Sequence, residues 1–491
     1  MHDPRKDMSE ENPGGTVVKG YSLAGMLIGP AAALAMLVLP VPAGLTFQGW
    51  ATAAIAVWMG IWWATEALPV AVTALLPLLF FPLFDISDFG QTAAPFANPL
   101  IFLFLGGFLI SLAMQRWNLH RRIALHILSV VGSSPSALIG GVMAATAFLS
   151  MWISNTATAM MMMPLAVSLT SVLTDAGQRE KSGISSALLL AVAYSASIGG
   201  LATLVGSPPN ALLAAYMEQR HGIHVGFMDW MVIALPVVLA MLPITWFLLT
   251  RVDFHLEDTS SQAGSEVIRQ ELDKMGPVSA AEKRVAAVFA LVAALWIFNP
   301  LTADLTGLSG LHDAGIAVSG ALLLFLIPSG THARVFLLDW NWAKRAPWDI
   351  LILFGGGLSL AQAVDKTGLA SWIGNGLSFF ETWPVFALVL AVSLLVIFLT
   401  ELTSNTATTA AFLPVVGAVA MQAGLDPLFL AAPAAMAASC AFMLPVATPP
   451  NAIVFGTGQV SIPQMMRAGF LVNLAAVAVI ALVSTMTAGS G

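Results

Sequence analysis

Residues 148–158 read FLSMWISNTAT, and a closely similar phrase, FLTELTSNTAT, returns 250 positions later at residues 398–408. Each copy is followed by a second polar motif, GSPPN at residues 206–210 and ATPPN at residues 447–451. All four motifs interrupt apolar stretches. Irregular backbone is tolerated at membrane depth only where it is buried in protein or lines a cavity. Paired interruptions in two halves of a chain are typical of a transporter's binding site.

The composition indicates a polytopic membrane protein. Hydrophobic residues make up 58% of the 491 residues, and charged residues make up 9%. Soluble domains carry about 25% charged residues, so a water-soluble globular domain is excluded. The single cysteine, Cys440, excludes an internal disulfide and a metal site built from several cysteines. Residues 1–19 lack the apolar core of a signal peptide and are expected to form a cytoplasmic tail.

Apolar runs of about 20 residues, the length of one membrane crossing, predict an all-α fold with about 11 transmembrane helices. Two further apolar stretches, 135–173 and 384–422, are broken in the middle by the Ser-Asn-Thr motifs. Their arms are near or below crossing length, so each stretch is interpreted as a re-entrant helical hairpin. Two spans are themselves broken, at 206–209 and at 447–450. The predicted spans lie at about residues 21–40, 47–65, 69–84, 98–115, 184–217, 228–250, 282–300, 312–328, 347–365, 428–458 and 464–486.

The distribution of Lys and Arg predicts the orientation of the two halves. With the N-terminus in the cytoplasm and both hairpins returning to the side they enter from, 17 of the 19 Lys and Arg residues lie on the cytoplasmic side. Only Arg220 and Lys366 fall outside, in agreement with the positive-inside rule. A basic amphipathic stretch, 116–128, is predicted to lie at the membrane interface. The polar stretch 251–281 divides the chain into two inverted-topology repeats.

Each hairpin break offers groups that suit ions of both signs. A helix that ends at membrane depth exposes carbonyl oxygens, and a helix that begins there exposes N–H groups. The first arm is expected to end near the motif serine, and the second arm is expected to begin near the motif threonine. The Pro-Pro pairs free further carbonyl oxygens, at Gly206 and Ala447. A hard monovalent cation fits among such oxygens, and a carboxylate fits against the N–H ends.

The hairpins contain no Lys or Arg in the motifs or in the arms beside them. A dianionic substrate would therefore lack a fixed countercharge, and its burial without one is prohibitive. Co-bound cations are the expected neutralising groups, and they would couple the substrate to the cations. Glu401 is a rare carboxylate in the second hairpin, where the first hairpin has Met151. It is either a group that binds a proton or a cation or an anchor for a neighbouring helix.

The paired motifs resemble those of the divalent-anion/sodium symporter family, which includes bacterial sodium–dicarboxylate and sodium–citrate cotransporters. The resemblance covers about residues 20–487. It implies a homodimer, co-transported sodium, and elevator-type alternating access of a transport part against a scaffold part. The implied division is 1–19 cytoplasmic tail, 20–134 scaffold helices, 135–250 transport part with the first hairpin, 251–281 cytoplasmic linker, 282–382 scaffold helices and 383–491 transport part with the second hairpin.

The resemblance also implies the site residues. One sodium site would use Ser150, Ser154, Asn155 and the backbone at Gly206. The other would use Thr400, Thr403, Asn405 and the backbone at Ala447. The substrate carboxylates would contact Asn155, Thr156, Ser207, Asn405, Thr406, Thr448 and Pro449. Basic residues near the cation sites mark the sodium-independent relatives, and this chain has none there, which favours the symporters.

These observations predict a sodium-coupled symporter of C4-type dicarboxylates such as succinate and malate, and not an enzyme. A symporter of citrate, sulfate or another divalent anion and a sodium-independent exchanger stay open, because the sequence does not give the width of the pocket. An intramembrane enzyme is a distant alternative, since the sequence lacks a His-Glu-x-x-His motif and paired intramembrane carboxylates. The expected location is the bacterial inner membrane, with the N-terminus in the cytoplasm, the C-terminus outside it, and no nucleic-acid partner.

Overall fold

The computed structural model describes residues 20–175, 181–254, 256, 262–306, 312–330, 334–376 and 382–488. Helices form the regular secondary structure of these residues, apart from one isolated bridge between Pro328 and Phe336. The predicted all-α class is therefore confirmed. The expected cytoplasmic tail, residues 1–19, lies outside the described residues.

The helices of the first half follow the predicted apolar runs, with a 3₁₀ turn (Ala94–Ala97) and a π-helical extension (Leu248–Asp253) between them. They are α1 (Gly20–Val38), α2 (Phe47–Thr65), α3 (Val70–Thr73), α4 (Leu76–Leu83), α5 (Phe89–Ala93), α6 (Pro99–Arg116), α7 (Leu119–Ser129), α8 (Pro135–Ser150), α9 (Asn155–Asp175), α10 (Lys181–Gly200), α11 (Pro208–His221) and α12 (Phe227–Phe247).

The second half repeats this order after one helix in the polar linker. Its helices are α13 (Gln262–Met275), α14 (Ala280–Thr306), α15 (Asp313–Leu326), α16 (Trp340–Ala343), α17 (Trp348–Lys366), α18 (Leu369–Gly376), α19 (Val385–Thr400), α20 (Asn405–Gln422), α21 (Pro427–Ala438), α22 (Pro449–Phe455) and α23 (Ile462–Ala488).

A helix break lies at each Ser-Asn-Thr motif, as predicted, but each first arm ends four residues before the motif serine rather than at it. In the first hairpin α8 ends at Ser150 and α9 begins at Asn155, and in the second α19 ends at Thr400 and α20 begins at Asn405. Each first arm has 16 residues and is about 24 Å long at 1.5 Å per residue. The hydrocarbon core of a bilayer is about 30 Å thick. Each first arm is therefore too short to cross it when upright.

Four helical segments of the described chain are long and apolar enough to span a membrane. They are Phe89–Arg116, Gly183–Gly200, Phe227–Asp253 and Ile462–Met486. Shorter apolar helices of 10–17 residues are Leu23–Val38, Val70–Leu83, Pro135–Ser150, Asp313–Leu326, Val385–Thr400 and Pro427–Ala438. The number of membrane crossings stays a prediction.

The Pro-Pro motifs begin helices rather than end them. The preceding helices stop earlier, α10 at Gly200 and α21 at Ala438, whereas the sequence placed the breaks at 206–209 and 447–450. The prolines occupy the first turns of α11 and α22, where a missing N–H costs no hydrogen bond and the fixed φ suits a helix. Each break is therefore several residues longer than predicted, and more backbone carbonyls are free to face the interior.

The predicted span at 69–84 is divided into two short helices, α3 and α4. Pro77 at the start of α4 has no N–H to donate to the carbonyl of Thr73, so the helix cannot continue through this point.

Glycines bring backbones together at corresponding places in the two halves. A Cβ added to Gly106 of α6 would lie 2.6 Å from the backbone of Ala317 in α15. A Cβ added to Gly356 of α17 would lie 2.1 Å from the carbonyl oxygen of Ala74. Close contact through small residues is the usual way in which membrane helices pack, because apolar side chains gain little from leaving lipid.

The amphipathic helix α7 is connected to the second half by a buried ion pair. Arg122 Nε donates to Glu282 Oε1 at 2.7 Å, and the guanidinium also donates to the carbonyl oxygens of Gly276 at 3.0 Å and Met275 at 3.5 Å. Glu282 in turn accepts from the Ser279 N–H at 2.7 Å. The pair joins α7 to the start of α14 across the polar linker.

Candidate functional site

The four motifs meet at one cavity of about 490 Å³. All seven predicted substrate residues line it. Glu66 at the end of α2, Val70 of α3, Phe108 of α6 and residues of α17 also line it. The motif residues in the wall are Ser154, Asn155, Thr156, Gly206, Ser207, Pro208, Ser404, Asn405, Thr406, Ala447, Thr448, Pro449 and Pro450. Motifs far apart in sequence, from both repeats, therefore face one another across a single space.

Oxygen atoms converge at the first hairpin break. Asn155 Oδ1 lies 2.7 Å from Ser150 Oγ, 3.1 Å from the Ala196 carbonyl oxygen and 3.2 Å from the Gly206 carbonyl oxygen. The Ser150 hydroxyl also lies 2.6 Å from the Ala196 oxygen, and it has only one proton to donate. These oxygens repel one another unless a cation lies among them or Asn155 turns its amide nitrogen inward. The set is suited to a hard cation.

The second hairpin break repeats this arrangement. Thr400 Oγ1 lies 2.9 Å from Asn405 Oδ1 and 3.0 Å from the Ala438 carbonyl oxygen, and Thr400 is fully buried. The carbonyl groups of Ala196 and Ala438 were not among the predicted site residues. A backbone carbonyl depends on where a helix ends and not on residue type, so the sequence carried no signal for them.

Three predicted sodium ligands, Ser150, Thr400 and Thr403, are not among the cavity-lining residues. Ser150 and Thr400 reach the hairpin asparagines through their hydroxyls, as described above. The Thr403 hydroxyl instead lies 3.1 Å from the Leu399 carbonyl oxygen and 2.6 Å from Thr408 Oγ1. These contacts give Thr403 partners within its own hairpin.

Four helices begin at the cavity wall. They are α9 at Asn155, α11 at Pro208, α20 at Asn405 and α22 at Pro449. The first N–H groups of a helix have no acceptor within the helix and carry a partial positive charge. The first turns of α9 and α20 offer such N–H groups to an anion in the cavity, whereas α11 and α22 begin with two prolines, which have no N–H, and contribute only the dipoles of their helices.

Each broken span is braced by the asparagine that follows its two prolines. Asn210 Nδ2 donates to three carbonyl oxygens within residues 200–203, at 2.8–3.2 Å. Asn451 Nδ2 donates to the carbonyl oxygens of Ala441 and Leu444, at 3.1 and 3.0 Å. Both asparagines are fully buried. The sequence identified them as motif residues, but only the structure shows that their side chains bind the carbonyl oxygens of the non-helical segments.

The fixed charges of the cavity wall are negative. No Lys or Arg is present among the described residues that line the cavity, whereas Glu66 and Asp349 both line it. Glu66 caps the end of α2 in a left-handed conformation with φ 47°, and Asp349 lies in the first turn of α17. Neither was a predicted site residue, because both lie at helix ends distant in sequence from the motifs. A dianion in this cavity would need cations beside it.

Comparisons with known proteins show the family to which this chain belongs. A family model described as the sodium:sulfate symporter transmembrane region matches residues 21–488. The sodium-dependent dicarboxylate transporter SdcS of Staphylococcus saprophyticus is 42% identical over 470 residues, which cover 94% of this chain and 90% of that protein. SdcS of Staphylococcus aureus strain USA300 is 42% identical over 468 residues, with the same coverage.

Two solved structures share the fold at low sequence identity. MtrF of Neisseria gonorrhoeae has a TM-score of 0.55 and 15% identity, with 94% of each chain covered. The YdaH transporter of Alcanivorax borkumensis has a TM-score of 0.56 and 14% identity, with 96% of this chain and 97% of that chain covered. These two likenesses concern the fold alone. The family match and the 42% identity to SdcS are more specific evidence. They show that this chain belongs to the sodium:sulfate symporter family, which is the divalent-anion/sodium symporter family that its paired motifs resemble.

Proposed function

We propose that this protein is a sodium-coupled symporter of C4-type dicarboxylates such as succinate and malate. The observation that carries the proposal is the shared cavity, where two clusters of neutral oxygens flank a space that four helices face with their N-termini. The relatives are named as sodium-dependent dicarboxylate transporters, which supports both the ion and the class of substrate. The family and these relatives are transporters, and the chain is not an enzyme.

The cavity offers two similar ends to a substrate with two carboxylates. One carboxylate is expected to accept hydrogen bonds from Asn155 and Thr156 at the start of α9. The other is expected to accept from Asn405 and Thr406 at the start of α20. A short dicarboxylate carries its charges at opposite ends, and this two-sided arrangement matches it. Ser207, Thr448 and Pro449 would complete the contact surface.

Sodium ions would occupy the two oxygen clusters and orient the amides that bind the substrate. An ion at the first break would contact Asn155 Oδ1 and would turn the amide nitrogen of that residue toward the cavity, where it can donate to a carboxylate. Asn405 Oδ1, which lies beside the Thr400 hydroxyl, would be the corresponding ligand of the second ion. Sodium and substrate would therefore bind together.

Elevator-type alternating access is the proposed mechanism of transport. The transport part would comprise 135–250 and 383–491, with both hairpins re-entrant, and the scaffold part would comprise 20–134 and 282–382. Arg220 of the transport part lies 2.5 Å from Asp365 of the scaffold part, a contact that sliding would break. We further propose a homodimer in the bacterial inner membrane, with the N-terminus in the cytoplasm and the C-terminus outside it.

Uptake into liposomes tests the proposed function. Purified protein reconstituted into liposomes is expected to take up radiolabelled succinate when an inward sodium gradient is applied. With potassium in place of sodium, uptake is expected to fall to the level of protein-free liposomes, because the carboxylates would have no neutralising cations. Citrate and sulfate are measured in parallel under the same gradients.

The outcomes of this experiment separate the alternatives. Sodium-driven uptake of citrate or sulfate without succinate would reassign the substrate. Uptake that does not depend on the sodium gradient but requires succinate inside the liposomes would indicate an exchanger. It would overturn the proposed coupling to sodium.

A further inference from the structure

Glu401 lies inside the second hairpin and is 3% exposed. Its carboxylate accepts hydrogen bonds from three consecutive backbone N–H groups, those of residues 442–444, at 2.7–3.0 Å. It also accepts from Asn473 Nδ2 in α23 at 2.7 Å. The carboxylate therefore links the hairpin, the second broken span and the last helix.

The backbone hydrogen bonds favour the ionised form of Glu401. Three of its four partners are backbone N–H groups, which can only donate, and such donors stabilise a carboxylate more than a protonated carboxyl group. The partners are neutral amide groups, so the negative charge is balanced by dipoles and not by a Lys or Arg in the described chain. A buried charge held in this way stays available to attract a cation nearby.

In the first half, the corresponding break is stabilised by hydrogen bonds between neutral groups. Met151 occupies the position that matches Glu401, and its carbonyl oxygen accepts from Thr203 Oγ1 at 2.5 Å. The same hydroxyl accepts from the Gly206 N–H at 3.1 Å. The N–H groups of residues 201–202 donate to carbonyl oxygens three positions earlier, at 3.1 Å each. In the first break the backbone N–H groups therefore donate to a hydroxyl group and to carbonyl oxygens of turns. In the second break the corresponding N–H groups donate to a carboxylate.

The contacts of Glu401 connect it to the second oxygen cluster from two directions. It follows Thr400, whose hydroxyl belongs to that cluster. It also holds the N–H of Leu444, whose carbonyl oxygen accepts from the Ala447 N–H at 3.2 Å and from Asn451 Nδ2 at 3.0 Å. The position of the Ala447 carbonyl, a proposed sodium ligand, thus depends on the segment that Glu401 holds.

We propose that Glu401 is a positioning residue that holds the second break in shape and gives the second sodium site a fixed negative charge that the first site lacks. The two sodium sites are then unequal, and the second site binds sodium more tightly and fills first. This inference rests on the proposed function, because it assumes that the oxygen clusters bind sodium.

Sodium titrations of thermal stability test the inference without any transport assay. The purified full-length protein is titrated with sodium chloride, with choline chloride keeping the ionic strength constant, and Tm is followed. Glu401→Gln removes the charge but keeps the shape, and it is expected to raise the half-saturating sodium concentration of the tighter site about tenfold. Met151→Gln, the matched change in the first hairpin, is expected to leave that concentration unchanged. If the role of Glu401 is purely structural, Glu401→Gln will lower Tm equally in both salts and will leave the half-saturating sodium concentration unchanged. That result would overturn the inference.

A second variant keeps the test decisive if Glu401→Gln does not fold. Asn473→Ala removes one donor and leaves the charge with its three backbone partners, so its half-saturating sodium concentration is expected to be equal to or lower than that of the wild type. A higher concentration would contradict the assigned role of the charge. If sodium does not stabilise even the wild type relative to choline, the proposed function itself fails. If the wild type responds and Glu401→Gln responds identically, only the present inference fails.

Discussion

Asn155→Ala and Asn405→Ala are each expected to reduce sodium-driven succinate uptake by about 100-fold while leaving the protein folded. Each asparagine lies both in an oxygen cluster and in the cavity wall. Its loss removes a proposed ligand of the cation and a proposed donor to the substrate, and a contact to a charged group is worth about 1.5–3 kcal/mol. Uptake rates in proteoliposomes and Tm of the purified variants measure the two effects.

Asn155→Asp separates the two roles of this amide. The carboxylate keeps an oxygen for sodium but has no nitrogen to donate to the substrate, so sodium is expected to stabilise the variant while succinate binding is lost. Asn341→Ala, which removes an exposed asparagine outside the cavity, serves as the control and is expected to transport at the wild-type rate. Wild-type transport in both Asn155→Ala and Asn405→Ala would remove these residues from the site.

Arg122→Ala is expected to cause a large loss of stability. The substitution leaves the Glu282 carboxylate, whose side chain is 5% exposed, buried without its charged partner. Breaking a buried ion pair in this way costs about 3–5 kcal/mol. It also leaves the carbonyl oxygens of Gly276 and Met275 without their donor. A Tm lower by several degrees is expected in detergent, together with a weaker connection between α7 and α14.

The neighbouring arginine provides the control for Arg122→Ala. Arg121 pairs with Glu271, but its side chain is 52% exposed. A solvent-exposed pair contributes about 0–1 kcal/mol, so Arg121→Ala is expected to change Tm little. Equal losses of Tm in the two variants would mean that the buried pair does not stabilise the connection more than a surface contact does.

The hairpins could be predicted from the sequence because their breaks are made by side chains. Ser, Asn and Thr inside apolar stretches mark a helix end, and their repetition after 250 residues shows that two halves share the plan. The seven residues predicted to contact the substrate all line the cavity, so the sequence predicted this part of the cavity wall. Charge bias in the loops then fixed the expected orientation of the halves.

Other parts of the site could not be predicted because they depend on backbone and on distant helix ends. The carbonyl oxygens of Ala196 and Ala438 enter the oxygen clusters only because α10 and α21 end well before the prolines. Glu66 and Asp349 reach the cavity through tertiary packing of α2 and α17. The two roles left open for Glu401 also needed the structure, which shows the four donors around its carboxylate.

The central claim is that sodium and a dicarboxylate occupy the cavity together, and the affinity for succinate tests it most directly. Calorimetric titration of the purified protein with succinate in sodium chloride, and again in choline chloride at equal ionic strength, gives that affinity in both conditions. Saturable binding in sodium, weakened by about tenfold or more in choline, is the predicted result. Equal affinity in the two salts would contradict the account.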